Sequence, residues 1–334
     1  MKKQEENNTT NTSYLPWIDW MKVIAMYFII AGHCFVPFNK YIYVFSVPCF
    51  FVISGFLSHK ESDNKLFWKK IFWNMLVPMA LLLVINVIFN AILQIRAGIF
   101  SPSYLWKRPL LAFAGMQGQN FQSGGLGVLW FVYTLCLCKI VLQFVPKRYE
   151  IFINILFIVF CLLSAVYINS NDIEVYSSYV DVLLSYPFFV AGYYLRTCKL
   201  KLNNIGGWKL SLMFFLSSII VIICGRYNDI VMLYKCSYGS DLLLCLIGGF
   251  AGTISVYAIS KTVSQRCKRV NISVLGGGTI IILGLHQILI IVVGYLCKLE
   301  GFILYGFSLA VLLTFIPINS FIRRYIPILY GKIR

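Results

Sequence analysis

The stretch Trp17-Ile18-Asp19-Trp20-Met21-Lys22-Val23-Ile24-Ala25-Met26-Tyr27-Phe28-Ile29-Ile30-Ala31-Gly32-His33 decides how this chain is read. With the apolar residues that follow to Phe38, it reaches the ~20 residues that span a bilayer core of ~30 Å. Yet it holds an acid, an amine and an imidazole. Ionisable groups at membrane depth are costly, so each is a functional candidate. Lys22 and His33 are eleven residues apart, which leaves them about 20° from alignment on a helix of 3.6 residues per turn and ~16 Å apart along its axis. They share one stripe without touching. Asp19, three residues before Lys22, can pair with it. Lys22 reads either as a cation at a cavity mouth or as a side chain snorkelling to the interface. His33 reads either as a packed, hydrogen-bonded residue or as a group exchanging protons near neutral pH.

Outward from this stretch, the composition extends the same theme. Of 334 residues, 59% are hydrophobic and 12% charged, half the charge of a soluble domain, for which ~25% is usual. Backbone amides in lipid must be satisfied within their own segment, so apolar windows of this kind form helices. Ten windows are expected to span: 17–38, 41–58, 71–95, 126–145, 151–169, 180–195, 208–225, 241–260, 273–296 and 302–322. The expected fold is an all-α polytopic helical bundle with both termini cytoplasmic. Met1 to Pro16 reads as a disordered cytoplasmic leader, 17–322 as the membrane domain and 323–334 as a basic cytoplasmic tail.

The excess of Lys and Arg, 29 against 12 Asp and Glu, could suggest nucleic acid as a partner. Its distribution argues for topology instead: ten crossings from an inside N-terminus place 22 of the 29 cations on one side, as the positive-inside rule requires. No nucleic-acid partner is expected. The 11 cysteines show no C-x-x-C spacing, so neither a metal site nor a disulfide framework is expected. The longest segment between spans, 96–125, mixes Tyr104, Trp106, Lys107 and Arg108 with an amide cluster that includes Gln117, Gln119 and Asn120. Amides both donate and accept, which suits a hydroxyl-rich ligand; a solvated loop is the alternative.

Several of these residues also resemble a family. The opening stretch, followed by Phe45-Ser46-Val47-Pro48-Cys49-Phe50-Phe51-Val52-Ile53-Ser54-Gly55-Phe56-Leu57, resembles the acyltransferase 3 family of membrane O-acyltransferases. Its signature is a basic residue, ten intervening residues and a histidine, matched by Lys22 and His33. Leu129-Trp130-Phe131, Pro187-Phe188-Phe189-Val190-Ala191-Gly192-Tyr193 and His286 extend the likeness over nearly the whole chain. Where the family carries arginines after its second helix, this chain has Lys69, Lys70 and Asn74.

The resemblance implies transfer of an acyl group, acetyl above all, from cytoplasmic acyl-CoA to a hydroxyl of a sugar, polysaccharide or glycolipid, in a bacterial plasma membrane and alongside glycan-biosynthesis machinery. It implies no bound cofactor. His33 would be general base or would carry the acyl group itself. Lys22 would join His33 in the catalytic set, and Lys22, Asp19, Lys69 and Lys70 would gather on the donor side, where cations attract phosphates. Ser54, Trp130, His286, Gln117, Gln119 and Asn120 are candidates for the cavity or the acceptor. A transporter or flippase is the competing reading, and an inactive assembly subunit the third.

Overall fold

A computed structural model describes residues 15–117, 127–270, 272–297 and 299–331. The leader up to Tyr14, the amides Gln119 and Asn120, and the tail from Lys332 lie outside the described residues. The principal helices are α1 (Pro16–His33), α2 (Ser46–Leu57), α3 (Asn64–Arg96), α4 (Tyr104–Phe113), α5 (Trp130–Phe144), α6 (Glu150–Ser170), α7 (Ser178–Leu195), α8 (Gly207–Tyr227), α9 (Leu242–Arg266), α10 (Thr279–Cys297) and α11 (Ile303–Tyr325). No strand forms among the described residues.

A helix occupies each of the ten windows. Among the described residues, seven helical segments are long and apolar enough to cross a bilayer: 39–57, 64–96, 127–144, 147–170, 207–227, 242–266 and 303–325. The other three are α1, α7 and α10. The polar groups of α1 (Asp19, Lys22, His33) and of α7 (Asp181, Ser185) lower their hydropathy, while α10 is apolar over a shorter stretch, Thr279–Gly294. The protein is an all-α, multi-pass membrane protein. One window and one connecting segment differ in detail from expectation. The second window is broken at Val44–Phe45 into a short helix, Asn39–Tyr43, and α2. The segment 96–125 is not simply a loop, because its first half folds as α4, which packs on α3.

α1 is the hub of the bundle. It packs against α2, α9, α10 and α11, and Ala25, Met26, Ile30 and Ala31 are fully buried. Peripheral helices show the opposite character. Only 17% of the apolar window in α6 and 22% of that in α8 is buried, and α6 presents Ile151, Phe152, Ile155, Leu156, Val159 and Phe160 outward. A soluble protein of this size would not leave such a face in water; in lipid it is the expected exterior.

Two glycines of the motifs that carried the resemblance have a packing reason. A Cβ placed on Gly55 would fall 1.8 Å from the Phe189 carbonyl oxygen, and one on Gly192 would fall 2.0 Å from that of Val52. α2 and α7 therefore touch backbone to backbone, as small residues permit in membrane helix pairs. The Trp17 and Phe56 rings meet edge to face at 5.6 Å, so the start of α1 lies beside the end of α2. This end of the bundle is called the near end. His33 marks the far end.

Candidate active site

His33 is the last residue of α1, and local structure fixes it there. The chain leaves the helix through a Schellman-type turn: the Phe35 N–H donates to Gly32 O (3.1 Å) and the Val36 N–H to Ala31 O (3.4 Å), with Phe35 in the left-handed region at φ +54°. Glycine is usual at that position. Here a bulky residue adopts it and stands three-quarters exposed. The Tyr43 hydroxyl donates to the Gly32 carbonyl (3.1 Å) and the Tyr305 hydroxyl to that of Pro37 (2.6 Å), pinning the turn to its neighbours.

Two consecutive residues of α10 address the imidazole. Gln287 Nε2 lies 3.3 Å from His33 Nδ1. With the amide nitrogen facing it, Nδ1 accepts and Nε2 carries the proton; with the amide turned over, its oxygen accepts from Nδ1–H and Nε2 keeps a free lone pair, so the amide orientation selects the tautomer. The His286 ring lies 5.0 Å from that of His33, centroid to centroid. His286 is fully buried. Its Nδ1 faces the carbonyls of Ile282 (2.9 Å) and Leu283 (3.0 Å), which can only accept, so Nδ1 carries the proton. Nε2 keeps its lone pair and has no hydrogen-bond partner among the described residues. His33 and Gln287 open onto a far-end cavity of about 380 Å³, whose other walls include Ile290, Ile291 and Gly294 of α10 with Leu304 and Phe307 of α11.

At the near end, Lys22 Nζ pairs with Asp19 at 3.2 Å. Gly276 packs so tightly on Asp19 that a Cβ there would lie 2.7 Å from the Asp19 Cβ. The turn 58–63, just after α2, forms one wall of a second cavity, of about 280 Å³, which Lys70, Lys139 and Asn74 also line. Glu61 accepts from Lys70 (2.7 Å) and His59 (2.8 Å). Burial alone would raise the Glu61 carboxyl. The hydrogen bond from Lys70 and the charges of His59 and Lys70 outweigh it and hold the carboxyl below its ordinary range. Lys60 pairs with Glu150 at 3.1 Å. The Lys139 ammonium donates to the Ser58 hydroxyl (2.6 Å), and Arg196 donates to the Ser58 carbonyl (2.8 Å).

The candidates of the sequence are thus divided among several places. His33 and His286 come together. Lys70 faces the near-end cavity, whereas Lys69 is exposed on α3 and Lys22 lines neither cavity. Ser54 is half-buried, and its carbonyl accepts from the Ser58 hydroxyl. The Trp130 ring packs among Phe51, Phe131 and Tyr234. Gln117, expected as a ligand-facing amide, is buried and donates to the fully buried carboxyl of Asp181, tying the segment after α4 to the start of α7. Gln287, Lys139 and Asp181 were not singled out as site residues. Asp181 carried a signal, an acid inside a spanning window, while Gln287 could be found only by following the residue next to His286.

Fold and site define a class, a multi-pass membrane protein with an imidazole pair beside a cavity. The family model described as an acyltransferase domain matches residues 15–319. The chain belongs to that family, the acyltransferase 3 family, and is a membrane acyltransferase. Neither the curated proteins nor the solved structures include a match to it.

Proposed function

We propose that this protein is an O-acyltransferase that takes an acyl group from cytoplasmic acyl-CoA, at the near end, and transfers it to a hydroxyl of a sugar, envelope polysaccharide or glycolipid reached from the far end. The observation that carries this reading is His33 itself. It sits at the floor of a cavity, oriented by Gln287 and backed by His286, in a chain of an acyltransferase family. The charge bias of 22 cations in 29 supports a cytoplasmic near end in a bacterial plasma membrane, with ten crossings and both termini inside. The near-end cavity supports donor entry, because Lys70 and Lys139 converge on it and cations attract the phosphates of CoA.

The chemistry follows from the geometry. The donor's phosphates rest among the near-end cations Lys70 and Lys139, which line the near-end cavity, and its flexible arm reaches into the bundle towards His33. Its thioester carbonyl then stands beside the imidazole. In direct transfer, the Gln287 amide is turned so that its oxygen accepts from His33 Nδ1–H, and the free Nε2 lone pair removes the acceptor hydroxyl proton as the oxygen attacks the carbonyl; CoA departs as the thiol with that proton. In the two-step route, the free imidazole nitrogen attacks first and expels CoA as the thiolate, and the acceptor hydroxyl then takes the acyl group from that nitrogen while its proton passes to the thiolate. Both routes conserve the thioester's acyl group as an ester.

The test uses sealed vesicles holding the protein, with acyl-CoA labelled in its acyl group on the cytoplasmic side and envelope glycan inside. Label should pass covalently to glycan, and His33→Ala should lower the rate by about 100-fold or more, the usual scale for losing a general base. A stably inserted His33→Ala protein that transfers as well as wild type would falsify the assignment. Solute movement with no covalent product would support a carrier instead.

A further inference from the structure

We infer that the far-end cavity is an acyl-chain pocket, built for a donor whose hydrocarbon is longer than acetyl, and that Gly294 sets the length it admits. The inference rests on the acyl-transfer reading and deepens it. Gln287, Ile290, Ile291 and Gly294 follow one another at i, i+3, i+4 and i+7, a single stripe of α10, and all four line the cavity. Leu304 and Phe307 of α11 face them across it. The polar groups gather at the His33 end, where Gln287 bonds the imidazole. Beyond it the walls are aliphatic and aromatic.

Direction distinguishes donor from acceptor. Just before α10, Gly276 lies against Asp19 at the near end, and α10 passes His33 at His286 and Gln287. It therefore runs parallel to α1, and its stripe from Gln287 to Gly294 continues ~10 Å past His33, away from the near-end cations. A thioester is collinear with this path: CoA trails towards the near end, the carbonyl stops at His33, and the acyl chain points onward into the apolar space. A sugar placed against these walls would meet isoleucine and leucine, which offer its hydroxyls no hydrogen-bond partner. An acetyl methyl would fill only a small part of about 380 Å³. Gly294 stands a full seven residues along the stripe, and a Cβ added to it would meet nothing within 4 Å. Gly294 lines the cavity, and there is open space at this position for a larger side chain.

The experiment measures binding of non-transferable S-alkyl-CoA thioethers, from ethyl through butyl and hexyl to octyl, to the full-length protein in nanodiscs. Affinity should rise with chain length by up to about fourfold per added CH2, equivalent to ~0.8 kcal/mol, until the chain reaches Gly294. Gly294→Leu should abolish the gain of the longest chains, Gly294→Ala should remove part of it, and Ile290→Ala should extend the rising range. These opposite signs keep the proposal testable if one variant fails to fold. An affinity independent of chain length, or Gly294 variants that weaken every thioether alike, would overturn the pocket while leaving the acyl-transfer reading intact. Absence of binding by CoA itself would overturn both. A gain shown by a polyprenyl phosphate and not by the thioethers would overturn the proposal by assigning the cavity to a lipid-linked acceptor.

Discussion

Gln287 illustrates what a single residue contributes here. Its amide lies 3.3 Å from His33 Nδ1, so Gln287→Leu leaves that nitrogen unpartnered in an apolar cavity. A partly buried group that loses its partner costs about 1 kcal/mol or more, the low end of the range for a buried one. Acyl transfer should fall by about tenfold or more, each tenfold being ~1.4 kcal/mol, and the pH–rate profile should move, because the amide no longer selects a tautomer. Gln287→Asn, if it restores both, identifies the contact as the cause; an unchanged profile in Gln287→Leu would refute the positioning role. At the near end, Glu61 supplies a pH dependence whose sign is fixed. Its carboxyl is held below the ordinary range by Lys70 and His59, so its contribution to stability is present above the unfolded-state value of about 4.3 and is lost as pH falls through the lower, folded-state value. Thermal unfolding of wild type in detergent should weaken across that window, and Glu61→Gln should flatten that part of the curve. A variant curve parallel to wild type through acid pH would contradict the ion-pair account.

Elements bring these residues into register, and their contacts can be tested through backbone space. A Cβ at Gly55 would lie 1.8 Å from a carbonyl oxygen of α7, closer than any relaxation of a side chain can absorb. Gly55→Ala should therefore separate α2 from α7 and cost about 1–3 kcal/mol, the scale of overpacking, read as a lower unfolding temperature in detergent. Gly207→Ala is the control, since nothing lies within 4 Å of an added Cβ there and it is the first residue of α8, and it should be near neutral. If both variants melt alike, the backbone contact is not tight. The elements also show what was legible beforehand. The α1 window and its polar stripe could be read directly, because helical periodicity is local. The break at Val44–Phe45 could not, because the apolar run continues through it and only the docking of Tyr43 on Gly32 gives the kink its purpose.

At the scale of the whole molecule, the question is how many helices cross. Ten crossings predict that single cysteines at Asp63 and Asn204 react with a membrane-impermeant thiol reagent only from the cytoplasmic side, and those at Ser103, Asp172 and Asp229 only from outside. A non-crossing α1 would reverse the sides of all five relative to the N-terminus, and a non-crossing α7 would reverse those after it. By itself the sequence determined the solvent of this protein, the places of its helices and the stripe joining Lys22 to His33. Hydropathy, charge bias and helical periodicity act within a window of some twenty residues. The tertiary structure decided the rest: that α1 is the hub, that His286 and Gln287 close on His33 from more than 250 residues away, and that Gln117 is a strut bonded to Asp181. It also opened an apolar cavity on the far side of the imidazole. Contacts of such sequence separation depend on how helices pack against one another, and that packing is set by small residues such as Gly55, Gly192 and Gly276, whose effect is to let distant backbone approach.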